Sequence, residues 1–195
     1  MNTSRVALFF LAMIVFSASD CNAKDALSVI HSRKSVRHYS GKPVSKDDLT
    51  TLLKAGMAAP TARNQQPWVF IAVTNEDALL ALAKGLPYTK MIVKSRACIV
   101  VCGDMDKALP GKEQDFWIQD CSAASENILL AAEAMGLGAV WSGMYPLQER
   151  VAHVRKVLGL PDNIIPLNVI AVGHPSGIDK PHNKYDPKNI HWQAW

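Results

Sequence analysis

From residue 46 onward the chain alternates stretches of helical period with short apolar runs of strand length. Ser45 followed by Asp47 and Asp48 reads as a capped helix start, and Leu49, Leu52, Leu53 and Met57 continue the 3.6-residue period until Pro60 stops it. The unbroken run Trp68–Val73 predicts a buried strand, and Asn75 then supplies the side-chain acceptor for a helix reaching about Lys84. Residues 97–103 predict a second strand. After a loop around Pro110 and Gly111, residues 113–135 predict the longest helix. Its face is rich in alanine (Ala123, Ala124, Ala131, Ala132, Ala134), which allows close backbone approach and suits a central position. Gly136-Leu137-Gly138 ends it, residues 139–141 predict a short strand, 147–158 a helix and 167–173 a last strand. A short helix over 24–32, with Leu27 and Ile30 on one face, precedes all of these.

The first 23 residues follow a different pattern. Arg5, eleven consecutive apolar residues over 6–16, and a stretch of mostly small residues ending in Ala23 predict a secretory signal peptide cleaved after Ala23 or after Ser19. Eleven apolar residues are too few for a bilayer span of about 20, so a retained anchor is the weaker reading and no stable transmembrane segment is expected after processing. Cys21 opens the alternative of a lipid-modified N-terminus, which the acidic Asp20 disfavours. The expected organisation is a leader over 1–23, a single domain over 24–195, and a periplasmic or cell-envelope location.

The formal charge of +4, with both signs interspersed, gives no case for nucleic acid and at most a weak bias toward anionic ligands. Cys98, Cys102 and Cys121 remain after cleavage, an odd number. The first two, four apart on one strand, sit about 13 Å from each other, too far for a disulfide. All three read as buried small hydrophobes. The six histidines are scattered and make no zinc spacing.

Two segments carry the chemistry. Arg33-Lys34-Ser35-Val36-Arg37 gathers three cations and a hydroxyl within five residues, which suits a phosphate. Pro60-Thr61-Ala62-Arg63-Asn64-Gln65-Gln66-Pro67-Trp68 sets amides beside Pro and Trp, and Asn64 and Gln66 offer the donors and acceptors that a flat heterocycle with carbonyls and ring N–H groups needs. Together they describe a mononucleotide site. The pattern argues against a dinucleotide fold: Gly136-x-Gly138 follows a helix instead of a strand, and Trp141 stands where a third glycine is required.

These segments resemble those of the nitroreductase family of FMN-dependent oxidoreductases, with Lys34 and Thr61 replacing the family's Arg and Ser; the resemblance covers nearly all of the chain after residue 23. It implies an α+β fold: a mixed, mainly antiparallel sheet wrapped by helices, with a long central helix at a homodimer interface. It assigns Arg33, Lys34, Ser35 and Arg37 to the phosphate, ribityl chain and pyrimidine edge of FMN, with Lys184 as a further phosphate ligand. Pro60, Thr61, Ala62, Asn64 and Gln66 would come from the partner subunit to cover the ring. Trp141, Ser142 and Gly143 would bring a backbone N–H to the flavin N5, where glycine permits close approach. Lys180 reads as an ordinary surface lysine, and the tail over 175–195, with Trp192 and Trp195, would embrace the partner. The implied activity is ping-pong hydride transfer from NADH or NADPH to nitroaromatic or quinone-type acceptors, with no side chain acting as catalytic acid, base or nucleophile. Because nicotinamides are scarce outside the cytoplasm, the leader keeps a second reading open: an envelope FMN-binding electron relay that NAD(P)H does not reduce.

Overall fold

The computed structural model describes residues 25–195, so the leader lies outside the described residues. Four strands, β1 (Trp68–Val73), β2 (Ala97–Asp104), β3 (Gly138–Gly143) and β4 (Ile164–Gly173), form one antiparallel sheet in the order β1-β2-β4-β3. Its mixed character rests on one isolated parallel bridge, between Ser35 and Ala139. Six helices accompany it: α1 (Ala26–Ser32), α2 (Lys46–Met57), α3 (Glu76–Gly85), α4 (Met91–Ser95), α5 (Phe116–Ala134) and α6 (Gln148–Leu158).

The strand period of two sorts the apolar residues into two cores. From β2, Cys98, Val100 and Cys102 join Leu79 and Leu82 of α3, Ile92 of α4, and Val151 and Val154 of α6. Ala97, Ile99 and Val101 join Leu52 of α2 and Trp117, Ile128 and Ala132 of α5. The central strand β2 is therefore buried along its whole length, and the alanine-rich α5 lies across one face of the sheet as its pattern predicts.

Several elements depart from expectation. β1 is a sheet edge whose residues are mostly half-buried instead of a buried strand, because only β2 pairs with it. The apolar face expected on α1 does not enter the core: Leu27 and Ile30 are exposed, and Val29 is the residue α1 buries. α5 begins at Phe116, since residues 111–113 form a separate 3-10 turn after Pro110. α4 was not expected; five residues are too few to show a helical period. β4 begins three residues early, at Ile164. Pro166 hides this start in the sequence, and the β-bulge at Val101/Cys102, where Pro166 pairs, accommodates it.

The three described cysteines are free and buried. Burial pushes the Cys98 and Cys102 thiols up to about 12, and the Cys121 thiol points at the Cys102 carbonyl, 3.4 Å away. Among the described residues no helix is long and apolar enough to cross a membrane, and no cluster of His, Cys, Asp and Glu is arranged to hold a metal ion.

Candidate functional site

The cationic segment is held between α1, α5 and β3. Asp25 caps α1 by accepting from the Ser28 N–H, and the chain turns out of the helix at Arg33. The Val36 N–H then donates to the Ala139 carbonyl at 3.0 Å. This close approach is possible because residue 138 is glycine: a Cβ there would lie 2.5 Å from Val36 Cγ1. Tyr39, buried, donates its hydroxyl to the Val36 carbonyl at 2.7 Å, and burial raises its pKa well above the usual tyrosine value.

Helix α5 supplies the counter-charges. Lys34 Nζ meets Glu133 Oε2 at 2.9 Å, and the Ser32 hydroxyl donates to Glu133 Oε1 at the same distance. The Glu133 side chain is only 8% exposed, so a nearby cation such as Lys34 stabilises its charge. It also sits in the last turn of α5, where the helix dipole disfavours a negative charge. Arg33 is fixed through Nε, 3.0 Å from Glu126 Oε1. Arg37 folds its guanidinium back to the Ser35 carbonyl at 3.4 Å.

Beyond β4 the chain returns across this segment. Ser40 N–H donates to the His174 carbonyl and Ser176 N–H to the His38 carbonyl, each at 2.9 Å. Residues 178–185 and the cationic segment enclose a cavity of about 1050 Å³ whose lining includes Arg33, Lys34, Ser35, Arg37, Asp179, Lys180, His182 and Lys184. Five permanent cations face it and one carboxylate. The structure thus brings Lys184 to Arg33, Lys34, Ser35 and Arg37, as expected, and adds Lys180, which sequence reasoning left as an ordinary surface lysine. Asp179 was missed altogether; one of two scattered acids in a Pro- and Lys-rich tail, it carries no period and no motif.

The amide loop forms a separate group. Ala62 N–H donates to Asp120 Oδ1 at 2.8 Å, Gln66 N–H to the Thr61 hydroxyl at 3.1 Å, and Arg63 pairs with Glu113 at 2.6 Å. Arg63, Asn64 and Gln66 all have positive φ, at 49°, 57° and 51°. Side chains other than Asn adopt this region at a cost of the order of 1 kcal/mol or more, so the loop is held in a strained conformation that displays its amides. Gln66 Nε2 donates to Asn64 Oδ1 at 2.9 Å, which fixes one amide against the other. Pro60, Thr61, Ala62, Asn64 and Gln66 do not line the cationic cavity, nor do Trp141, Ser142 and Gly143 on β3. The two groups are anchored on α5 at Asp120 and Glu133, 13 residues and so about 20 Å apart. Gly143 has no atom within 4 Å of where a Cβ would stand, and its carbonyl accepts from Arg150 Nη1 at 3.0 Å.

An antiparallel sheet between helical layers, with a cation-lined cavity beside the end of α5, defines an α+β protein. The model of the nitroreductase family matches residues 30–86 and 81–174. A protein of Archaeoglobus fulgidus, provisionally named NADH dehydrogenase/NAD(P)H nitroreductase, is 39% identical over 175 residues, covering 88% of this chain and 99% of the relative. A crystal structure from Parabacteroides distasonis, under the same provisional name, has TM-score 0.83 and 50% identity, covering 87% of this chain and 98% of the other. The FMN-dependent nitroreductase of Clostridium difficile follows the same fold with TM-score 0.79 and 25% identity, covering 87% and 99%. The chain belongs to the nitroreductase family.

Proposed function

We propose that this protein is an FMN-dependent oxidoreductase that draws electrons from NADH or NADPH and passes them to small acceptors of the nitroaromatic or quinone type in alternating half-reactions. The observation that carries the proposal is the meeting of Arg33, Arg37, Lys180 and Lys184 at one cavity beside the Ser35 backbone. FMN fits this donor set. A phosphate monoester requires several charge-assisted donors, and guanidinium and ammonium groups that line a space of mononucleotide size provide them.

In this account Arg33 and Arg37 bind the phosphate with Lys184, while Lys34 has part of its charge held by Glu133 and acts mainly to fix the segment. Asn64 and Gln66, set against each other by their hydrogen bond, orient the ring edge from the partner subunit of a homodimer. The roughly 20 Å between the two anchor points on α5 supports this division between subunits, as do Trp192 and Trp195, which are left exposed on the single chain. Pro60, Thr61 and Ala62 shape the loop. Trp141, Ser142 and Gly143 present backbone at the open end of β3, and the missing side chain at Gly143 leaves room for a ring. When bound, the flavin supplies the two-electron chemistry itself; the chain binds, orients and excludes water. The export reading of residues 1–23 supports a periplasmic or cell-envelope location for this activity.

The test is an anaerobic absorbance titration of FMN-loaded protein with NADH and then NADPH. Bleaching of the flavin band is the expected result. Flavin that stays oxidised with both, yet is reduced by a small low-potential donor, would overturn the reductase reading in favour of the envelope relay.

A further inference from the structure

A carboxylate inside a cation-lined anion site opposes the binding the site is built for, unless its charge is already spent. Asp179 is in that position. Its side chain is 14% exposed. Oδ2 accepts from the backbone N–H of Arg37 at 3.2 Å and of His38 at 3.1 Å, and Oδ1 lies 3.1 Å from His38 Nδ1. Desolvation pulls the carboxyl upward, but the hydrogen bonds from the His38 ring and from both backbone N–H groups outweigh it and hold the group below its ordinary value.

Its place along the tail gives these bonds a consequence. The tail leaves β4, pairs with residues 38–40 through His174 and Ser176, and turns at Gly177, whose φ is +92°. Asp179 follows two residues on. Beyond it, the hydrogen bonds of the described tail residues run only among themselves, such as Tyr185 N–H to Asn183 Oδ1 and Lys188 N–H to Asp186 Oδ1, both at 3.0 Å. Within one chain, Asp179 is thus the last tie between the body and the segment that carries Lys180 and Lys184.

We propose that Asp179 is a positioning residue that sets the cavity's preference for a phosphorylated ligand, by clamping the tail to the 37–38 backbone so that Lys180 and Lys184 line the same cavity as Arg33 and Arg37. This rests on the proposed function for the identity of the ligand, but not for the clamp. Loss of the clamp frees two lysines from the phosphate end and leaves the ring end untouched, so its signature is selective: affinity for FMN falls while affinity for riboflavin, which lacks the phosphate, does not.

The experiment measures FMN and riboflavin dissociation constants by flavin fluorescence for the wild type, Asp179→Ala and Asp179→Asn, with amide hydrogen exchange in ligand-free protein at Arg37 and His38, whose N–H groups donate to Asp179. Asp179→Ala is expected to weaken FMN by about tenfold or more, to leave riboflavin within about twofold, and to speed exchange of the Arg37 and His38 N–H groups. Asp179→Asn keeps a carbonyl oxygen for the two N–H groups and is expected to retain most of the preference. An unchanged FMN-to-riboflavin ratio in Asp179→Ala, an equal loss for both ligands, or unchanged exchange at Arg37 and His38 would overturn the proposal. A wild type that binds riboflavin as tightly as FMN would instead refute the phosphate assignment, and with it the role in preference; the exchange data would still decide the clamp.

Discussion

Gly138→Ala gives the sharpest test of how the fold builds the site. The new methyl would stand 2.5 Å from Val36 Cγ1 and 2.7 Å from Val36 Cβ, where ordinary carbon contacts are about 3.5–4.0 Å. Relief therefore requires a shift of about 1 Å. Val36 is 2% exposed and has a short, branched side chain, so it cannot swing away. If the backbone moves instead, the 3.0 Å bond from Val36 N–H to the Ala139 carbonyl is broken. Overpacking costs about 1–3 kcal/mol and the lost bond about 0.5–1.5 kcal/mol, so destabilisation of about 2–4 kcal/mol is expected. For a domain of this size that lowers Tm by roughly 4–16 °C. Thermal and urea unfolding measure it, with Gly143→Ala as the control, since no atom lies within 4 Å of its Cβ position; that variant should unfold like the wild type. Because Ser35 and Arg37 flank Val36, Gly138→Ala should also weaken FMN binding. A Gly138→Ala protein within about 0.5 kcal/mol of the wild type would refute the reasoning.

Three further outcomes follow from particular contacts. Glu133→Gln leaves Lys34 without its carboxylate in a half-buried site and should cost about 2–3 kcal/mol in urea unfolding, less than a fully buried pair because Lys34 is 23% exposed; combining it with Lys34→Met should recover part of the loss, and simple additivity would contradict the pairing. Cys98, Cys102 and Cys121 should resist an aromatic disulfide reagent at about pH 8 in folded protein and react after denaturation, since burial holds the Cys98 and Cys102 thiols up to about 12; fast reaction of the native protein at any of the three would contradict their burial. The Asp179 clamp has a depressed carboxyl, so its contribution is complete above the ordinary value of 3.8 and is lost as pH falls through the lower folded value. Exchange protection of the Arg37 and His38 N–H groups should thus be flat from about pH 7 to 5 and fall only below 3.8; loss already between pH 7 and 5 would assign the tie to another group.

Periodicity was sufficient where an element packs along one face for many residues. Ser45 does cap α2 by accepting from the Asp48 N–H, and Asn75 caps α3 through the Ala78 N–H. It failed where tertiary context decides. Nothing local distinguishes β1 from a central strand, because edge position is set by which strands join it, and α4 is shorter than the period that would reveal it. The site divides in the same way. The cations over 33–37 are dense enough to read directly, whereas Lys180 and Asp179 acquire meaning only because the tail folds back about 140 residues later onto His38. The positive φ values at Arg63, Asn64 and Gln66 also leave no mark in composition, since only Asn commonly adopts them.

The central claim is that the cavity between residues 33–37 and 178–185 holds the phosphate of a flavin mononucleotide. A crystal structure of the protein with FMN bound tests it most directly. The account predicts phosphate oxygens within hydrogen-bond distance of Arg33 or Arg37 and of Lys184, with the ring under the Asn64 and Gln66 amides of a second copy of the chain. Phosphate bound elsewhere, with these cations facing only solvent, would contradict it.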